Sequence, residues 1–157
     1  MPMLRPVLLS LALAVVMVGC TRGCGNGSKE AAAPVDAGKR SFHVGERWNY
    51  RARPGEETST LTVLKIESLP KSGVVVHVSV DGLHLKSPKA PTGMTDNIGH
   101  LPFAEAALDR SVTTLAAVSV ALPDYEAGYD EWRRAKGGVF TITVAEAVAF
   151  VEDALNR

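Results

Sequence analysis

The chain has 157 residues, 46% of them apolar and 22% charged. That is enough to bury the core of one domain, with an ordinary globular share of charge. Seventeen Lys and Arg balance seventeen Asp and Glu, which excludes the strong basic excess of a general nucleic-acid binder.

Residues 1–19 are unlike the rest. Arg5 is their only charge, and VLLSLALAVVMV (7–18) is apolar apart from Ser10. A helix crossing a bilayer needs about 20 apolar residues. The shorter run suits the apolar region of a secretory signal peptide. A buried core helix, the alternative, leaves the preceding basic residue and the following Gly-Cys unexplained. The small-residue triplet Ala31-Ala32-Ala33 lies beyond charged Arg22, Lys29 and Glu30, too far away to be an ordinary cleavage site. Met17-Val18-Gly19-Cys20 ends the run instead. It resembles the lipobox of bacterial lipoproteins, with Met where Leu is commoner. The resemblance implies a leader removed before Cys20 and lipid attachment at Cys20. The thiolate is the nucleophile such acylation requires, and two or more acyl chains anchor stably where one does not. Thr21 stands where Gram-negative lipoproteins held at the inner membrane commonly have Asp. The expected location is therefore the cell envelope, at the outer membrane facing the periplasm if the envelope is Gram-negative.

With Cys20 acylated, Cys24 has no partner within the chain. An intramolecular disulfide and a two-cysteine metal site are then set aside. Cys24 is either an exposed residue without a role or one that pairs with another chain. Residues 20–40 mix glycine, small residues and scattered charges without an apolar face, and read as a flexible tether.

The globular body is expected over 41–157. FHVGERWNYRA (42–52) places Trp48, Tyr50 and Ala52 on one strand face. Arg53-Pro54-Gly55-Glu56 suits a type II turn. STLTVLKIESL (59–69) is rich in β-branched residues. VVVHVSVDGLHLK (74–86) alternates Val74, Val76, Val78 and Val80 against His77, Ser79 and Asp81, the pattern of a half-solvated antiparallel strand. Gly82 is a candidate bulge. Residues 87–102 read as a loop, with Pro102 opening a helix over 103–118 that buries Leu108, Val112 and Leu115. Asp124 is the expected N-cap of a second helix, ended by Gly137-Gly138. VFTI (139–142) is β-prone. Thr143 and Glu146 form a capping box for a last helix carrying Val144, Val148, Val151 and Leu155. The order βββ-α-α-β-α predicts an α+β domain: an antiparallel sheet of three or four strands with about three helices on one face.

Candidate sites are few. His77 and His84 share a strand but fall on opposite faces unless Gly82 reverses the alternation, and His43 and His100 stand alone. Neighbouring Glu56 and Glu57 read as solvated turn residues. No nucleophile elbow, phosphate loop or metal-ligand spacing is present, so no catalytic residue, cofactor or metal is expected. Residues 20–95 hold eleven basic and seven acidic residues, and 96–157 hold five and ten. Such an imbalance belongs either to solvated helix faces or to a docking surface. Tyr125, Tyr129 and Trp132 share a helix face, with Arg133 beside them. They either pack the helix on the sheet or contact a partner, since Tyr, Trp and Arg anchor interfaces.

FHVGERWNYRARPGEETSTLTVLKIE, HVSVDGLHLK and LPDYEAGYDEWRRAKGGVFTITVAEAV resemble a family of uncharacterised bacterial proteins over 42–155. That resemblance implies no activity or site residue. The reading is thus a lipid-anchored envelope protein whose body binds a protein partner. Its alternative is a small envelope enzyme or ligand-binding protein with a pocket near the 87–102 loop.

Overall fold

A computed structural model describes residues 40–157. The expected leader, Cys20, Cys24 and the tether as far as residue 39 lie outside the described residues. In chain order the elements are β1 (Arg47–Tyr50), β2 (Thr60–Leu69), β3 (Gly73–Lys86), β4 (Met94–Ala104), α1 (Glu105–Ser111), β5 (Val112–Ala117), α2 (Glu126–Arg134) and α3 (Val144–Leu155). Over the described residues the class is α+β with three helices, and the sheet is antiparallel throughout. It has five strands, not three or four, in the order β4-β3-β2-β1-β5.

The first three strands form the expected meander. Their first turn has Gly55 at φ +86°, and the Glu56 amide donates to the Arg53 carbonyl at 3.0 Å. That is type II geometry. In β3, Val76, Val78 and Val80 are buried as expected, while Val74 is exposed. Gly82 adopts φ +76°, and a Cβ there would lie 3.3 Å from the Ser59 Cα. The β3–β4 register shifts between Asp81 and Leu85, so Leu83 and Leu85 continue the core stripe. The bulge therefore reverses the alternation. His77 and His84 share the face turned away from the core.

Two added strands come from segments read otherwise in the sequence. Most of the expected 87–102 loop is β4, which pairs with β3 and sets Pro102 opposite His77. Proline is tolerated there because β4 is an edge strand. On its outer side the Pro102 carbonyl accepts from the Phe140 amide and the Ala104 amide donates to the Phe140 carbonyl, each at 2.9 Å. The expected strand at 139–142 amounts to this single bridge between Phe103 and Phe140. The expected helix over 103–118 stops at Ser111. Val112 is already extended, with φ −72° and ψ 154°, and the β-branched run that follows pairs with β1 as β5. Leu115, expected in the core, is 45% exposed.

The core lies between one sheet face and the pair α1 and α3. Leu61, Val63, Val76, Val78, Leu101 and Phe103 of the sheet meet Ala107, Leu108, Val144, Ala147 and Val148 of the helices. The predicted capping box opens α3: the Glu146 amide donates to Thr143 Oγ1 and the Thr143 amide to the Glu146 carboxylate. Ser111 ties the two helices together, its Oγ accepting from the Val144 amide at 3.1 Å.

All helices were expected on one face, but α2 covers the reverse one. Its Tyr129 ring packs against His77, and His77 alternates with core residues Val76 and Val78. His77 is therefore fully buried and not half-solvated. The N-cap of α2 is Tyr125, not Asp124. Its C-terminus closes one residue before the expected glycines. Lys136 takes φ +49°, its amide donates to the Arg133 carbonyl, and the Gly137 amide donates to the Trp132 carbonyl. This is a Schellman motif with lysine in the position glycine usually fills.

Candidate functional site

The reverse face of the sheet carries a chain of polar groups beneath α2. Lys65 and Glu67 come from β2, His77 from β3, His100 from β4, and Tyr129 and Trp132 from α2. A register shift in β2 after Val63 turns Lys65 and Glu67 to this side, with Lys65 directly opposite His77. Sequence alone left His77 and His100 unrelated. Strand pairing brings the His77 Nδ1 within 2.9 Å of the His100 Nε2.

The protons on this chain follow from the partners. The Glu67 carboxylate can only accept, so the His77 Nε2 donates to it, at 3.0 Å. In neutral His77 the Nδ1 is then an acceptor, and it receives the His100 Nε2–H. The Tyr129 hydroxyl donates to the other Glu67 oxygen at 3.1 Å. Burial depresses the pKa of His77, opposed by Glu67. Burial, reinforced by His77, pushes His100 down to about 4. Both imidazoles are therefore neutral at pH 7. The His77 ring is enclosed by His100 at 5.1 Å, Tyr129 at 5.2 Å and Trp132 at 4.9 Å between ring centroids.

Gly128 lets the helix come this close. A Cβ there would sit 3.0 Å from the His100 Cβ, so the close approach calls for glycine despite its poor helix propensity. Tyr129 is buried and Tyr125 and Trp132 are half-buried, while Arg133 is exposed. The Trp132 indole donates to the Gly138 carbonyl at 2.9 Å. Lys65 stands 4.5 Å and Arg133 5.7 Å from the centre of the Tyr129 ring, in cation–π contact.

Outside this chain of groups lies a cleft of about 480 Å³, lined by Glu67, Leu69, Tyr129, Trp132, Arg133, Lys136 and Gly137. A second cleft of about 500 Å³ does lie beside the 87–102 segment, where His84, Thr92, Thr95 and Asp96 face it. His100 is not among its lining residues. Among the described residues no group of three or more His, Cys, Asp or Glu could hold a metal ion. Glu56 is 3% exposed and held by Arg53 at 2.6 Å. It is a buried structural anion, contrary to the solvated turn residue expected.

At the far edge of the sheet, among the described residues, β5 pairs with β1 alone, and it does so with two register shifts. Thr113, Thr114, Leu115 and Ala116 are all exposed, so neither face of the strand is buried along its middle. Residues 112–123 contain no charge. Val44, Val118 and Leu122 are also exposed nearby in the chain path, at 51%, 62% and 40%, and a bond from the Val120 amide to the Gly45 carbonyl ties that segment to β1's approach.

Comparison of the chain with protein families, curated proteins and solved structures finds no match.

Proposed function

We propose that the chain is a lipid-anchored protein of the cell envelope whose body binds another protein by strand addition at β5. The lipobox-like stretch ending in Cys20 supports the anchor. Among the described residues no helix is long and apolar enough to cross a membrane. The observation that carries the binding reading is the edge strand itself. Folded proteins protect such edges with charge, proline, bulges or cover; β5 shifts register twice against β1, but its residues 113–116 carry neither charge nor proline and are exposed. An extended segment of a partner would pair with the open backbone of β5 and cover Leu115, giving affinity through main-chain hydrogen bonds.

The test uses the full-length chain in its own membranes, with a photo-crosslinking residue at Thr113. A discrete crosslinked protein is expected, lost in Leu115→Lys. A chain that captures nothing from position 113, yet captures a discrete protein from exposed positions on α3, sinks the β5 reading. The anchor is tested separately, because Cys20→Ala is expected to move the protein from the membrane to the soluble fraction.

A further inference from the structure

We infer that the cleft between β2 and the end of α2 binds a small ligand in which a carboxylate or phosphate is joined to a flat or sugar ring. The cleft, at about 480 Å³, falls within the size range of small-molecule sites. Its lining holds two cations, Arg133 and Lys136, against the single carboxylate of Glu67, a balance that favours an anion. Both oxygens of Glu67 are engaged from within, one by His77 and one by Tyr129, so its acceptor positions are taken up by the fold. Among the described residues neither Arg133 nor Lys136 forms an ion pair.

Lys136 supplies the second observation. A side chain at φ +49° is strained, and glycine would remove that strain. Gly137 and Gly138 follow directly, so the segment is rich in the residue that would suit the position better. Strain retained at a cleft is a reason to look for function there. Basic residues do offset the exposed carbonyls of a helix end, and Arg133 and Arg134 lie in that last turn. Lys136 lies beyond the turn, where the Schellman bonds already satisfy the carbonyls of Trp132 and Arg133. Its ammonium is thus available to a ligand. Tyr129 and Trp132 provide aromatic walls for the ring.

Calorimetric titration of the full-length chain in neutral detergent tests this, with phenyl phosphate and inorganic phosphate as probes. Phenyl phosphate is expected to bind saturably and more tightly than inorganic phosphate. Lys136→Gly and Arg133→Gln should each weaken it by about tenfold, the loss of one charge-assisted contact. Lys136→Gly should also melt no lower than the natural chain, which separates lost binding from lost folding. Absence of saturable heat with either probe to about 10 mM overturns the inference, as does undiminished binding by Lys136→Gly. Reconstitution in phosphatidylcholine vesicles with and without phosphatidylinositol distinguishes the sources. Competition by the inositol lipid assigns the cleft to a headgroup, and unchanged phenyl phosphate binding assigns it to a free ligand. None of these outcomes depends on β5.

Discussion

Arg53 and Glu152 are 99 residues apart in the chain and 2.6 Å apart in the folded protein. The same guanidinium holds Glu56 with two further bonds. Each carboxylate also accepts from β3, Glu56 from the His84 amide and Glu152 from the Lys86 amide, both at 2.8 Å. One arginine thus joins the first turn, the strand beyond the Gly82 bulge, and the last helix.

Arg53→Ala leaves the buried Glu56 carboxylate without its countercharge. Removing one member of a buried pair costs about 3 kcal/mol. Urea unfolding of the variant is expected to show a loss of that order. Glu57→Gln, at the exposed neighbour, keeps an oxygen that can accept from the Gly55 amide and should shift the midpoint far less.

The histidine pair makes stability fall on acidification. The folded pKa of His100 is lowered from 6.5 to about 4, so the unfolded chain takes up a proton that the folded chain resists. Its contribution is fully present above about pH 6.5 and is lost as pH falls toward about 4. Between pH 7 and pH 5 the loss should be on the order of 1 kcal/mol, because water reaches part of the ring. Denaturation midpoints across that range would measure it. His100→Gln should flatten the dependence, and an equally steep profile in that variant would falsify the assignment.

The end of α2 predicts opposite signs for adjacent substitutions. Lys136→Gly should raise stability by about 1 kcal/mol, since it removes a side chain from the left-handed region. Gly137→Ala should lower the melting temperature, because its Cβ would lie 2.2 Å from the Trp132 Cδ1. Thermal melts of the two variants check both directions.

Thr143 caps α3 through its hydroxyl while Glu146 returns the bond to the Thr143 amide. Thr143→Ala should cost about 1 kcal/mol in equilibrium unfolding. Thr141→Ala, exposed and outside the box, serves as the control.

Local signals were legible where sequence and structure share a short-range cause. The type II turn at Gly55, the valine stripe of β3, the bulge at Gly82 and the Thr143–Glu146 box all depend on residues close in the chain. The misread segments depend on distant ones. Val112 to Ala117 has helical spacing relative to Leu108, but pairing with β1 outweighs that weak preference. Pro102 signals a helix start, but it sits on an edge where its missing donor costs nothing. The candidate site was legible only in part. Tyr129 and Trp132 stood out by their spacing. Glu67, His77 and His100 did not, because their meeting requires the register of β2, β3 and β4 together.

The two borders of the sheet differ, and the difference limits growth. On β4, Pro102 lacks a donor and Phe140 already occupies the neighbouring carbonyl and amide. On β5, among the described residues, no strand pairs with the outer border. A filament built by stacking sheets edge to edge needs two borders that can accept a strand. Among the described residues the β4 border is blocked at Pro102 and Ala104, so strand addition there is limited to residues 94–101, which carry the charge of Asp96. Assembly through β5 should therefore favour a discrete complex, since the other border is partly blocked and the register shifts of β5 already twist a neutral, exposed strand away from flat edge-to-edge pairing.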